Sequence, residues 1–120
     1  MSKHTPGPWV LDTMPTSVGI CHRIGPFPPR RPDDVTVRHA CLYADYPSAS
    51  NPADEELEAN ARLMAAAPEL LEACQAFSRL YARLWDVVEP SGSGFLSPES
   101  VKEYDAIHEL MNAAIAKATA

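Results

Sequence analysis

The segment ANARLMAAAPELLEACQAFSRLYARLWDVV, residues 59–88, decides the fold because its apolar residues recur at alternating intervals of four and three. The series is Leu63, Ala67, Leu70, Cys74, Phe77, Tyr81, Leu84 and Val88. This spacing is a heptad seam, typical of a helix that packs along another helix. Pro68 lies inside the seam without shifting its phase, although an internal proline costs about 3 kcal/mol and kinks or breaks a helix. The pattern therefore predicts one long helix, either kinked or broken at Pro68.

The residues on either side of this segment predict where the helices begin and end. Upstream, Asn51 or Ser50 suits the N-cap and Pro52 the first helical position. Downstream, residues 89–94 read EPSGSG and end the helix, and Ser97 before Pro98 begins another one by the same logic. The apolar face of that second helix is Val101, Tyr104, Ile107 or His108, Met111 and Ile115. Because the connection is short, the two helices are expected to be antiparallel neighbours.

The length of the first helix favours self-association. Residues 52–88 as one helix would span about 55 Å, whereas a compact domain of this length has a radius of gyration near 14 Å. Either Pro68 folds the helix back, or a partner subunit covers the overhang. A second face carrying Leu71, Ala82 and Trp85 adds more apolar surface than one neighbouring helix can bury. We therefore expect a homo-oligomer that forms through the helices.

The first 50 residues favour short strands, and ten of the 12 prolines fall between Pro6 and Pro68. Three segments suit strands, residues 8–11, 18–24 and 35–43, of which the last alternates apolar and polar positions over most of its length. Residues 25–34, GPFPPRRPDD, predict an exposed loop with polyproline II character. The expected architecture is α+β: a three-stranded antiparallel meander covered on one face by two antiparallel helices. We expect one domain, 1–120, with a strand half 1–50 and a helical half 51–120.

Charge and composition exclude several function classes. The net charge is −6, with +1 in residues 1–50 and −7 in residues 51–120, which argues against a general nucleic-acid-binding protein. The N-terminus has no secretory signal and no apolar run reaches about 18 residues. We therefore expect a cytoplasmic protein without a membrane span, in which the three cysteines are free thiols.

No catalytic signature stands out, and we expect no enzyme activity, no cofactor and no metal. Cys21-His22 and His39-x-Cys41 could supply zinc ligands only if their strands paired in register. Adjacent strand residues point to opposite faces, so Cys21 and His22 should not converge. The same cysteines lack an evident orienting acid for nucleophilic catalysis.

Arginines in and beside the strands are the one charge feature that suggests an anion ligand, because a guanidinium suits phosphate. Those in the strand half are Arg23, Arg30, Arg31 and Arg38, and Arg62 with Asn60 lies near the start of the long helix. The alternative is ordinary surface pairing with acids such as Asp33, Asp34, Glu55, Glu56 and Glu58. Trp9 and Phe27 could stack on a base, or Trp9 could plug the end of a small sheet.

Two segments, HTPGPW at residues 4–9 and EANARLMAAAPELLEA at residues 58–73, together resemble a group of small bacteriophage and prophage proteins. The resemblance implies a non-enzymatic accessory protein, and its outline is similar to Thoeris anti-defence proteins, which sequester nucleotide immune signals as oligomers. Under that hypothesis Asn60, Arg62 and Arg23 or Arg38 would bind phosphates and Trp9 or Phe27 would stack on a base. The alternative hypothesis is an acidic inhibitor or adaptor that mimics nucleic acid and binds a host defence protein.

Overall fold

A computed structural model describes residues 3–82 and 98–120 and shows an antiparallel sheet followed by helices. The strands are β1 (Val10–Pro15), β2 (Ile20–Phe27) and β3 (Arg38–Ala44), in the spatial order β1-β2-β3. The helices are α1 (Glu55–Ala65), α2 (Ala67–Ala82) and α3 (Pro98–Thr119). The predicted α+β class and the three-stranded meander are confirmed.

The strand boundaries lie further along the chain than predicted. β2 includes Gly25, Pro26 and Phe27, which the proline content had assigned to a loop. A register shift between Ile24 and Phe27 explains the difference, because it places Phe27 opposite Arg38 and leaves Pro26 in the irregular position. A bulge tolerates a residue without a backbone N–H, since no ladder hydrogen bond is lost there.

The two faces of the sheet have different neighbours. Ile24 packs with Ala61 of α1, and His22, on the same face, meets Thr13 with 2.9 Å between Nδ1 and Oγ1. Cys21 and Arg23 lie on the opposite face because side chains alternate along a strand. Cys21 and His22 therefore diverge, as the alternation predicts.

The start of α1 corrects the sequence prediction. Asp54 is the N-cap residue, and its Oδ1 accepts a hydrogen bond of 3.0 Å from the N–H of Leu57. Asn51 instead pairs with Ser48 through backbone hydrogen bonds of 2.7 and 3.2 Å. That turn holds Asn51 outside the helix, so the predicted cap at Asn51 or Ser50 and the helical position of Pro52 are wrong.

The helix breaks for one residue just before Pro68. The Ala66 N–H donates to the carbonyls of Arg62 and Leu63, at 3.1 and 3.2 Å, and its carbonyl accepts from the Leu70 N–H at 3.0 Å. Pro68 thus lies in the first turn of α2, where its missing N–H costs no intrahelical bond. This is the tight break that was one of the two predicted outcomes. The predicted continuation over 83–88, its end at 89–94 and the Ser97 cap lie outside the described residues.

Two buried clusters hold the described elements together. The sheet–helix core comprises Ile24, Ala61 and Ala65, with Trp9, Leu11, Phe27 and Leu42 packed against them. The hairpin core comprises Ala76, Leu80 and Ile107, with Leu110 and Met111 packed against them. Ile107, not His108, is therefore the α3 residue that faces α2. Of the ten buried hydrophobic residues in the described ranges, six are alanines.

α3 packs along both α1 and α2, whereas α2 contacts only α1 and α3 among the described elements. The radius of gyration is 20.3 Å, whereas a compact domain of this length is expected to have a radius of gyration of about 14 Å. The thinnest dimension of the molecule is 16 Å. The α2–α3 hairpin therefore extends beyond the sheet. Within residues 3–82 and 98–120, no helix is both long and apolar enough to cross a membrane.

Candidate functional site

A cleft of about 470 Å³ opens at the end of the sheet, where the N-terminal segment crosses β2 and β3. We name it the Trp9 cleft, and its lining is His4, Thr5, Trp9, Phe27, Arg38, His39 and Ala40. The lining combines two aromatic rings, two imidazoles and a guanidinium, with no carboxylate. That composition suits a planar ligand bearing negative charge.

Trp9 is fixed at three places. Its indole Nε1 donates to the Thr5 carbonyl at 3.0 Å, and its ring meets the Phe27 ring edge to face, with centroids 5.2 Å apart. Lys117 Nζ, near the end of α3, donates to the Trp9 carbonyl at 3.0 Å. Because Trp9 also packs against Ile24, Ala61 and Ala65, its predicted role as a plug at the end of the sheet is confirmed. The same ring also lines the cleft.

Arg38 reaches the cleft because the register shift in β2 pairs it with Phe27. Its Nε donates to the Pro28 carbonyl at 2.8 Å, which anchors one side of the guanidinium. No carboxylate of the described residues forms an ion pair with Arg38. The two Nη groups are therefore available for a bidentate contact with an anion.

The structure places the other predicted ligand residues elsewhere. Arg23 lies on the opposite face of the sheet and pairs with Asp12 at 3.0 Å. Arg62 pairs with Glu58 one turn earlier on α1, which is one of the surface pairings considered above. Asn60 is exposed on α1, and neither it nor Arg62 lines the Trp9 cleft. Of the five predicted residues, Trp9 and Arg38 are brought together.

His4 and His39 line the cleft but were not among the predicted anion-binding residues, although His39 had been considered as a zinc ligand. His4 is the first residue of HTPGPW, and its ring lies 6.4 Å from the Trp9 ring in an edge arrangement. His39 follows Arg38 in β3. Their presence in a motif and beside a strand arginine was visible in the sequence, but their convergence depends on the path of the N-terminal segment over the sheet.

The two segments that carry the family resemblance meet beside the cleft. A Cβ atom added to Gly7 would lie 2.7 Å from Pro68 Cβ, so the N-terminal segment crosses the helix break at close approach. Next to this crossing, Glu69 Oε1 accepts a hydrogen bond of 2.8 Å from Lys117 Nζ. Since the same ammonium bonds to the Trp9 carbonyl, Lys117 joins α2, α3 and the cleft-forming segment.

The Cys41 thiol, on the other face of the sheet, has little nucleophilic character. Desolvation and a hydrogen bond with Cys21 raise the pKa of the Cys41 thiol, and the hydrogen bond with Cys21 also raises the pKa of Tyr43. A raised thiol pKa lowers the thiolate fraction at neutral pH, and the thiolate is the reactive form. In the described ranges, no group of three His, Cys, Asp or Glu side chains is arranged to hold a metal ion.

The fold and the cleft define a small α+β protein with an aromatic and basic cleft at the end of its sheet. A family model described as Salmonella phage P22 protein Y8K6 matches residues 1–120, and the chain belongs to that family. The predicted resemblance to small phage proteins is therefore confirmed at the level of a phage protein family. No curated protein and no solved structure gives a significant match.

Proposed function

We propose that this phage protein binds a small nucleotide-type anion in the Trp9 cleft and acts as a non-enzymatic accessory protein by sequestering that molecule. The observation that carries the proposal is the contrast among three arginines. Arg23 and Arg62 are neutralised by Asp12 and Glu58, whereas Arg38 has no carboxylate partner in the described ranges and lies beside an aromatic pair.

The cleft offers separate places for the two parts of a nucleotide. The Arg38 guanidinium and the His4 imidazole would donate hydrogen bonds to phosphate oxygens. His39 alternates with Arg38 along β3 and also borders the cavity beside Arg23, so no phosphate contact is assigned to it. The exposed part of the Trp9 and Phe27 rings would contact a base. A volume of about 470 Å³ lies within the roughly 300–1,000 Å³ typical of small-molecule sites.

Sequestration of an immune signal is the role that fits a phage protein of this kind. The membership of a phage family supports a function within the infected cell. Nucleotide capture extends the resemblance to Thoeris anti-defence proteins that the sequence suggested. The ligand class to examine first is therefore cyclic nucleotides and cyclic ADP-ribose isomers.

The test is calorimetric titration of the purified protein with those two classes of nucleotide. Arg38→Ala should weaken binding by about 10- to 100-fold, because a hydrogen bond to a charged group contributes about 1.5–3 kcal/mol. Arg23→Ala is the matched control, since Arg23 lies on the other face of the sheet, and it should leave the affinity unchanged. Absence of heat with every nucleotide, or equal losses in both variants, would refute the proposal.

The acidic helical half supports a second candidate, an inhibitor that mimics nucleic acid and binds a basic host defence protein. Residues 51–120 carry a net charge of −7, and Glu55, Glu56 and Glu58 cluster in the first turn of α1. Such binding should weaken steeply with salt. Capture of a host protein from lysate that persists in high salt, or that survives Glu55→Gln with Glu56→Gln, would count against this candidate.

A further inference from the structure

The heptad seam of α2 is not the face that packs against α3. α2 contributes Ala73 beside the hairpin core and Ala76 and Leu80 within it, whereas Cys74, Phe77 and Tyr81 stay exposed. α3 repeats the arrangement, because Ile107 is buried while Val101, Tyr104 and Ile115 are about half exposed. The most regular apolar pattern of the sequence thus remains uncovered by the described residues.

The two uncovered series lie on one surface. A groove of about 230 Å³ runs between the helices and is lined by Leu70, Ala73, Cys74, Phe77, Met111 and Ile115. No charged residue lines it. Along α3, Val101, Tyr104, Met111 and Ile115 follow at intervals of three, seven and four, so His108 lies at the heptad position between Tyr104 and Met111. Met111 borders both the groove and the hairpin core. We call this surface the exposed seam.

We propose that the exposed seam binds a second copy of this chain, so that two α2–α3 hairpins form a four-helix bundle. Heptad packing requires a partner with the same repeat, and an identical hairpin supplies it twice. A stable domain consists of at least two packed layers, whereas α2 contacts only α1 and α3. A second copy would supply the missing layer.

The available area agrees with a dimer. Five large side chains of the exposed seam are 40–67% exposed: Phe77, Tyr81, Val101, Tyr104 and Ile115. At about half of the roughly 150–250 Å² that an aromatic side chain can bury, the three aromatic rings alone contribute on the order of 300 Å². An interface of about 800 Å² per partner that is about 65% apolar needs on the order of 500 Å² of apolar area, and Val101 and Ile115 add to the aromatic share of it.

Sedimentation equilibrium over a wide range of protein concentration tests the proposal. The wild-type protein should reach twice the 13.1 kDa chain mass, and Phe77→Glu should shift the equilibrium to the single-chain mass because it places a charge in the seam. Leu71→Glu is the matched control: Leu71 is on the same helix and 41% exposed, against 40% for Phe77, but it lies away from the groove. It should remain dimeric.

Labelling of thiols supplies a second measurement on the folded protein. Cys74 lies in the groove, whereas Cys41 is exposed on the sheet. Cys74 should react slowly in the wild type and faster in Phe77→Glu, while Cys41 should react equally in both. If Phe77→Glu does not fold, Tyr81→Glu replaces it, since Tyr81 is 67% exposed. A wild-type monomer at all concentrations, or a dimer that survives either seam variant, would overturn the proposal.

This inference is independent of nucleotide binding, because the Trp9 cleft and the exposed seam share no residue. Arg38→Ala should leave the mass unchanged.

Discussion

The sheet–helix core and the hairpin core are built from similar residues but are enclosed to different degrees. In the sheet–helix core, α1 lies between the sheet and α3, and Ile24 is 1% exposed. In the hairpin core, α2 has α3 on one side, and its most regular apolar series faces outwards. The first core is complete within one chain, whereas we propose that a second copy of the chain completes the other.

The largest expected effect breaks the core that is complete. Ile24→Ala should destabilise the protein by about 2–5 kcal/mol, because it removes most of a fully buried side chain and leaves a cavity that α1 cannot fill. Chemical denaturation monitored by circular dichroism measures this loss, which should not depend on protein concentration.

Ile115→Ala is the counterpart in the exposed seam, since Ile115 is half exposed. Its effect should be smaller and should grow with protein concentration, because ligand-like binding of a second copy stabilises the folded state by mass action. If Ile24→Ala and Ile115→Ala lowered the free energy of unfolding equally and independently of protein concentration, the two cores would not differ in how completely they are enclosed.

A smaller effect is expected where the N-terminal segment crosses the helix break between the two regions. Gly7→Ala should destabilise the protein by about 1–3 kcal/mol, because the new methyl group would meet a Pro68 ring atom bonded directly to the backbone. Thermal unfolding measures it, with Ser17→Ala in an exposed turn as the control. An unchanged midpoint would show that the crossing is looser than described.

The smallest effect concerns the bridge that Lys117 makes between the regions. Lys117→Met keeps the side-chain stem and removes its hydrogen bonds to Glu69 and the Trp9 carbonyl. Because Glu69 Oε2 is buried and has no partner among the described residues, the loss should be about 1–2 kcal/mol. In a Glu69→Gln background the same substitution should cost less. Equal costs in both backgrounds would show that the ion pair is not coupled.

Much of the fold could be predicted from the sequence because its signals are local. The alternation in β3, the break next to Pro68 and the start of α3 at Pro98 each depend on neighbouring residues. The start of α1 was misplaced because the Ser48–Asn51 turn competes with capping, and nothing in residue preference alone shows which wins. The face of α2 that meets α3 was also hidden, since Ala73 and Ala76 carry a weak hydrophobic signal.

The candidate site was less predictable because it depends on long-range register. Arg38 reaches Phe27 only through the shift that follows Ile24, and no sequence pattern encodes that shift. The same limit applies to Arg23, whose pairing with Asp12 depends on strand register. The pairing of Arg62 with Glu58 is different, because its i,i+4 spacing is local and is visible in the sequence. Residue type identified candidates, and topology decided which of them could meet.

The alanine-rich interior has a thermodynamic consequence. Unfolding raises the heat capacity in proportion to the apolar surface that it exposes, and six of the ten buried hydrophobic residues in the described ranges expose only one methyl group each. A single chain should therefore have a small heat-capacity change and a shallow stability curve. When copies associate, burial of the large side chains of the exposed seam would increase the heat-capacity change and so the curvature of the free energy of unfolding with temperature. The temperature of maximum stability should therefore vary with protein concentration.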